Sequence, residues 1–353
     1  MKKGIIAIVV LGIIGVVAWQ QWRTHKPAVE LKGTVGGEKV ALMEDPQVAD
    51  IFKKRFNLSL KVSKAGSIEM VERDPGQNDF LFPGSQIATE MFKSDKGRKV
   101  AESQTVLRSP LVIYSWDNTT QALIKQGIVQ QINNAYYIVD LPKLVKLMVD
   151  GNNWSEVGLP YYGKITIITT DPNYSNSGAM FAGLLANILV GESSVADDSN
   201  IDAQLPKLKS FFGRLGYMER SSSDLFETYL STGEGSKPLI VGYENQMIEY
   251  AAQHPDLWNR NKDKVRALYP IPTCWSAHEL IALNEQSREL IRALVDPETQ
   301  KLAWSKHGFR TGTAGVASDP KILGNIAIPE QLDKIVPLPN YRTMDKILKA
   351  LKQ

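Results

Sequence analysis

Four neighbouring residues, Ser175-Asn176-Ser177-Gly178, put two hydroxyls, an amide and a glycine just ahead of Ala179, Met180, Phe181, Leu184, Leu185 and Ile188, apolar residues at helical spacing. The first N–H groups of a helix lack internal partners and carry roughly half a positive charge, so small polar residues there let an anionic or strongly polar ligand approach. Ser and Asn are also ordinary helix caps, and one such corner would mean little. A second one stands earlier in the chain. Ala65-Gly66-Ser67 follows the strand-like Leu58–Val62 and precedes Ile68, Met70 and Val71, so Ser67 is expected to turn its hydroxyl and N–H into the crevice beyond the strand.

Catalytic chemistry finds less support in the same residues. Cys274 and His278, in Cys-Trp-Ser-Ala-His, would meet only on a helix, and the prolines ahead of them point to an extended segment. His25, His254, His278 and His307 are scattered, so no metal site is expected. Ser175 and Ser177 lie outside any G-x-S-x-G elbow. Gly33-Thr34-Val35-Gly36-Gly37-Glu38-Lys39 lacks the spacing of a phosphate loop and reads as a strand running into a turn. Asp171 and Glu244 fit turn capping and a structural or ligand hydrogen bond better than acid/base work. No enzyme activity and no cofactor are expected.

The elements that must hold the two corners alternate short apolar strands with helical patterns, which predicts an α/β fold with largely parallel sheets. Lys164–Thr170 reads as a buried strand, and Asp171-Pro172-Asn173 as the turn that ends it. Other strands are expected at Asn78–Pro83, Val106–Ser115, Pro238–Tyr243, Val265–Pro270 and Glu279–Leu283. A closing helix pair covers Glu285–Leu294 and Pro297–Lys306. A hydrophobic content of 43% over 353 residues is ample for two lobes. The net charge of +3 and the lack of basic clusters argue against nucleic acid as a partner. The single cysteine cannot form an internal disulfide.

At the amino terminus, Lys2 and Lys3 precede an uninterrupted apolar run from Gly4 to Trp19. The run is slightly shorter than the roughly 17–25 residues of a spanning helix, but Trp19 and Trp22 suit a membrane interface. Val17-Ala18-Trp19 offers no small-x-small cleavage site, and no cysteine is near enough for lipid attachment. Residues 1–23 are therefore expected to be an uncleaved signal-anchor, a single transmembrane helix, with 24–30 as linker and the rest of the chain extracytoplasmic.

Several marks in order resemble one family: Ala65-Gly66-Ser67 after the second strand, Ser175-Asn176-Ser177-Gly178 at a mid-chain helix start, a strand running into Tyr243-Glu244, and Asp296-Pro297-Glu298-Thr299-Gln300 leading to Gly308-Phe309-Arg310. Together they resemble the type II periplasmic or extracellular solute-binding proteins of ABC transporters, the superfamily that takes molybdate, sulfate, phosphate and iron. The resemblance implies two α/β lobes with a ligand cleft between them, residues 31–115 and 281–353 forming lobe 1 and 116–280 lobe 2, with crossing segments near Leu111–Ser115 and Glu279–Asn284. It implies ligand contacts from Gly66 and Ser67, from Ser175, Asn176, Ser177 and Gly178, from Tyr243 with Glu244, and from Glu38 and Lys39. It also implies an ABC permease as partner and a small polar solute as ligand. An oxyanion is the first expectation, although a carboxylate at Glu244 would favour a cation, an amine or a sugar hydroxyl. The anchor departs from the family pattern, so the alternative is a membrane-anchored structural or signalling module that keeps the fold without transport.

Overall fold

The computed structural model describes residues 27–191, 194–313, 317–323, 326–332 and 334–352. The expected signal-anchor, residues 1–23, lies outside the described residues. Among those described, no helix is long and apolar enough to cross a membrane. The linker expected to reach Glu30 ends sooner, because Val29 already donates to the Asn57 carbonyl and opens the first strand.

Ten strands, β1 (Val29–Val35), β2 (Leu58–Lys64), β3 (Phe80–Phe82), β4 (Glu102–Trp116), β5 (Val129–Ile132), β6 (Ala135–Ile138), β7 (Leu239–Tyr243), β8 (Val265–Pro270), β9 (Trp275–Ala282) and β10 (Arg310–Thr311), make two sheets that share β4. β1 lies parallel between β2 and β3, and β9 joins β3 to β4 in antiparallel fashion. Glu102–Pro110 pairs with β9, whereas Leu111–Trp116 pairs with β7 and β8 in the second sheet, which β6 and β5 complete. The change of partners falls at Pro110, a residue with no N–H to give a ladder. The two halves of the molecule are therefore continuous through one strand.

The second crossing lies between Pro270 and Trp275, and not at Glu279–Asn284 as expected, since Glu279–Ala282 pairs with Glu102–Thr105 inside the first sheet. Trp275–His278 lengthens that strand because its polar residues Ser276 and His278 are buried and bonded at the junction. Lys164–Thr170 keeps the expected alternation, with Ile165, Ile167 and Thr169 buried, but it is an extended segment and not a strand. Its bridges are single ones, Ile168 to Ile240 and Lys164 to Asn153.

The last helix, Tyr341–Leu351, expected with the first lobe, packs on the second-half helices Asn176–Val190 and Leu205–Gly213 and also on Gln86–Ser94 of the first half. Its apolar stripe of Met344, Ile347, Leu348 and Leu351 is what the core there requires, and Lys346 pairs with Asp202 at 2.6 Å. Ser94 and Tyr341, 3.2 Å apart, tie the same helix to the first half.

Candidate functional site

Where the two halves meet, Gly36, Gly37, Glu38, Ala65, Gly66 and Ser67 face Ser175, Asn176, Arg220, Ser221, Ser222 and Tyr243 around a cavity of about 10 Å³. That is room for about one water molecule. Each lining segment is the start of a helical element. β1 turns at Gly36 into the short turn Gly37–Lys39, and β2 ends at Ala65-Gly66 ahead of the helix Ser67–Glu72. On the other side, Ser175, Ser221 and Tyr243 are the N-caps of Asn176–Val190, Ser222–Thr232 and Glu244–Gln253. Three helix starts thus converge there, although the Gly178, Asn245 and Met247 N–H groups are already taken by the hydroxyls of Thr170, Ser109 and Tyr114.

Of the residues read from the sequence as ligand contacts, Glu38, Gly66, Ser67, Ser175, Asn176 and Tyr243 are brought together here. Ser177 and Gly178 are not among the lining. The Ser177 hydroxyl lies 2.7 Å from that of Thr170, which also accepts from the Gly178 N–H at 2.9 Å. A side chain at Gly178 would overlap the Thr170 carbonyl, so this glycine serves the packing of turn on helix rather than the approach of a ligand. Ser67 holds its own half together, accepting from the Gly84 N–H at 2.8 Å. Asn176 donates to the Tyr243 hydroxyl at 2.8 Å, and burial pushes that phenol well above its ordinary pKa.

Arg220, Ser221 and Ser222 also line the cavity, and none of them is among the contacts expected from the sequence. The signal was present, since Ser221-Ser222-Ser223 ahead of Leu225 and Phe226 repeats the pattern of Ser175. Arg220 stacks over the Tyr174 ring at 4.0 Å and has no ion-pair partner among the described residues.

Glu244, expected in the cleft, is corrected by the geometry: its fully buried carboxylate takes Arg310 Nε at 2.7 Å and Nη2 at 3.0 Å, and Tyr269 donates to it at 2.7 Å. A carboxylate so occupied does not repel an anion at the cavity. Lys39 is fully buried beneath the floor, ion-paired with Glu38 and 3.2 Å from His278 Nδ1. Burial lowers the Lys39 pKa against the opposing pull of Glu38.

His278 is held neutral, its pKa well below 6.5 through burial first and the Lys39 charge second. In the window below 6.5 the unfolded chain gains a proton that the folded chain refuses, so stability falls as the pH falls, by up to about 1.4 kcal/mol per unit from this residue. Glu249, whose pKa burial raises, opposes this at the acid end of the window. Urea unfolding of wild type and His278→Gln at about pH 7 and about pH 5.5 isolates the histidine: the variant is expected to lose less stability between the two. Parallel losses would show His278 to be protonated in the fold.

Cys274 is no nucleophile here. It is buried, its thiol is pushed up to about 12 by burial, and His278 lies four residues along an extended chain, about 13 Å away.

No protein-family model matches the chain, and no curated protein matches it. Solved structures do. The periplasmic binding protein AfuA from Actinobacillus pleuropneumoniae, with fructose-6-phosphate bound, is 13% identical and superimposes with a TM-score of 0.58 over 91% of this chain and 96% of its own. The substrate binding protein of an ABC transporter from Agrobacterium tumefaciens is 14% identical, with a TM-score of 0.57 over 93% and 96%. The sulfate-binding protein SubI from Mycobacterium tuberculosis is 14% identical, with a TM-score of 0.52 over 85% and 93%. At such identities the likeness is one of architecture, and in architecture this chain has the mixed α/β fold of the periplasmic solute-binding proteins of ABC transporters.

Proposed function

We propose that the protein is an extracytoplasmic receptor that closes two lobes on a small anionic solute and delivers it to an ABC-type importer, with the apolar run Gly4–Trp19 as its membrane anchor. The lobes divide at Pro110 and within Ile271–Cys274, where the strands change sheet. The observation that carries the reading is the convergence at one cavity of the starts of Asn176–Val190, Ser222–Thr232 and Glu244–Gln253, with Arg220 in the lining and its guanidinium, on the Tyr174 ring, without an ion-pair partner among the described residues. Backbone and hydroxyl donors aimed at one point replace the hydration shell of an oxyanion. A ligand larger than water is held with the lobes slightly further apart than they stand here.

Thermal unfolding in the presence of sulfate, phosphate, molybdate, a phosphate monoester, ferric ion, a polyamine and a neutral sugar tests this. An anion at a hundredfold excess over its Kd is expected to stabilise by about 2.7 kcal/mol, read as a rise in Tm. A rise with the polyamine or the sugar alone would overturn the anion assignment, and no rise with any of them would overturn the receptor. A second reading, a signalling or structural module with no solute, is favoured by the direct contact between the halves. It shares the fold and forecasts no rise at all.

A further inference from the structure

Around the cavity the two halves touch each other without an intermediary. The Tyr174 carbonyl, in the second half, accepts from the N–H groups of Ile68 at 3.1 Å and Glu69 at 3.4 Å in the first. Lys64 pairs with Asp224 across the same seam at 2.5 Å. Asn176 reaches Ser276 at 3.4 Å on β9 of the first sheet.

Glycines make this approach possible. A Cβ on Gly66 would overlap the Tyr174 carbonyl, one on Gly37 would overlap the Ser221 hydroxyl, and one on Gly84 would stand 2.8 Å from the Asn176 amide nitrogen. None of the three has a positive φ, so backbone conformation does not call for glycine at these positions. Gly66, at φ −66° and ψ 149°, has angles any residue adopts. What calls for glycine is the opposite half, and it does so at three separate points.

We propose that the protein carries its own latch: the Tyr174 carbonyl docked on the Gly66 corner, with Gly37 and Gly84 cleared for Ser221 and Asn176, holds the halves closed through protein contacts alone. Closure then does not wait for a solute. Resting on the receptor reading, a solute adds to a closed state that already exists, and part of its affinity is offset by easing the latch apart. The latch itself does not depend on that reading, because it is observable with no solute present.

The test is a pair of spin labels on the full chain at Lys61→Cys and Tyr162→Cys, exposed positions in the two halves. Cys274 is buried and its thiol is pushed up to about 12, so it does not compete for label. In buffer free of polyvalent anions the labelled parent is expected to show one dominant short distance. Adding Gly66→Ala is expected to bring in a longer one, changing the closed-to-open ratio by about tenfold or more through loss of two backbone hydrogen bonds. Should Gly66→Ala fail to fold by circular dichroism, Gly37→Ala reads the same latch from its other contact. A parent dominated by the long distance, or a glycine variant that folds and keeps the parent's distribution, overturns the latch. A titration of the unlabelled protein with phosphate and sulfate separates this from the receptor reading, whose failure leaves the distance result standing.

Discussion

Arg310→Met is expected to cost the fold about 3–5 kcal/mol, the penalty for stranding a buried charge. Glu244 is completely buried, and both its oxygens are taken by the Arg310 guanidinium with Tyr269 as a third donor. The same guanidinium donates to the Pro329 carbonyl at 2.6 Å and the Glu330 carbonyl at 3.1 Å, and it lies 5.5 Å from the Trp304 ring. Without it a carboxylate is left in an apolar surround, and two carbonyls lose their donor. The intact pair contributes little beyond what apolar residues of equal volume would, since both ions were dehydrated to make it. Breaking one side is what costs. Arg310→Met/Glu244→Gln, which removes both charges, is accordingly expected to recover much of the loss, and Arg310→Lys to recover only part, because a lysine cannot supply the forked donor. Urea denaturation of the four proteins decides it. A loss under about 1 kcal/mol in Arg310→Met would mean that the Glu244 carboxylate is reached by water in the fold.

What could and could not be read in advance divides along the same physical line. The Ser175 corner is legible because each of its parts is local: β-branched alternation up to Thr170, a proline after Asp171, then apolar residues at helical spacing. The Gly66 corner is legible for the same reason. Arg310 and Glu244 stand 66 residues apart, and Lys39 and His278 stand 239 apart, so the pairings that fix their roles are made by the sheets and not by neighbours in sequence. Glu244 looked like a cleft residue because it follows a buried strand, which is where a cleft residue would also be. Only the side chain's direction separates the two, and period-two reasoning does not extend past the last residue of β7 into a helix. Gly178 misled in a related way: glycine at a helix start admits either a ligand or another stretch of backbone, and here it admits Thr170.

Arg220→Gln is expected to weaken binding of an anionic probe, sulfate or phosphate, by about 10- to 100-fold, the range of a charge-assisted hydrogen bond. The arginine lines the cavity, lies on Tyr174 and is matched by no carboxylate among the described residues. Glu38, the acid at the cavity, is already ion-paired with Lys39. On the receptor reading, a ligand anion meets the exposed charge of Arg220 on its approach and the helix starts inside. The two should differ in their response to salt. The rim charge is exposed and screened over a Debye length of about 8 Å at physiological ionic strength, whereas the helix starts act inside a closed space. Titration calorimetry at low and high salt is expected to show wild-type affinity falling with salt and the Arg220→Gln affinity nearly flat, with the two converging when salt is high. The variant's own unfolding is expected to stay within about 0.5 kcal/mol of wild type, since the side chain is on the surface. If the variant binds sulfate or phosphate as tightly as wild type at low salt, the guanidinium takes no part in the site, and the charge balance at the cavity rests on backbone dipoles alone.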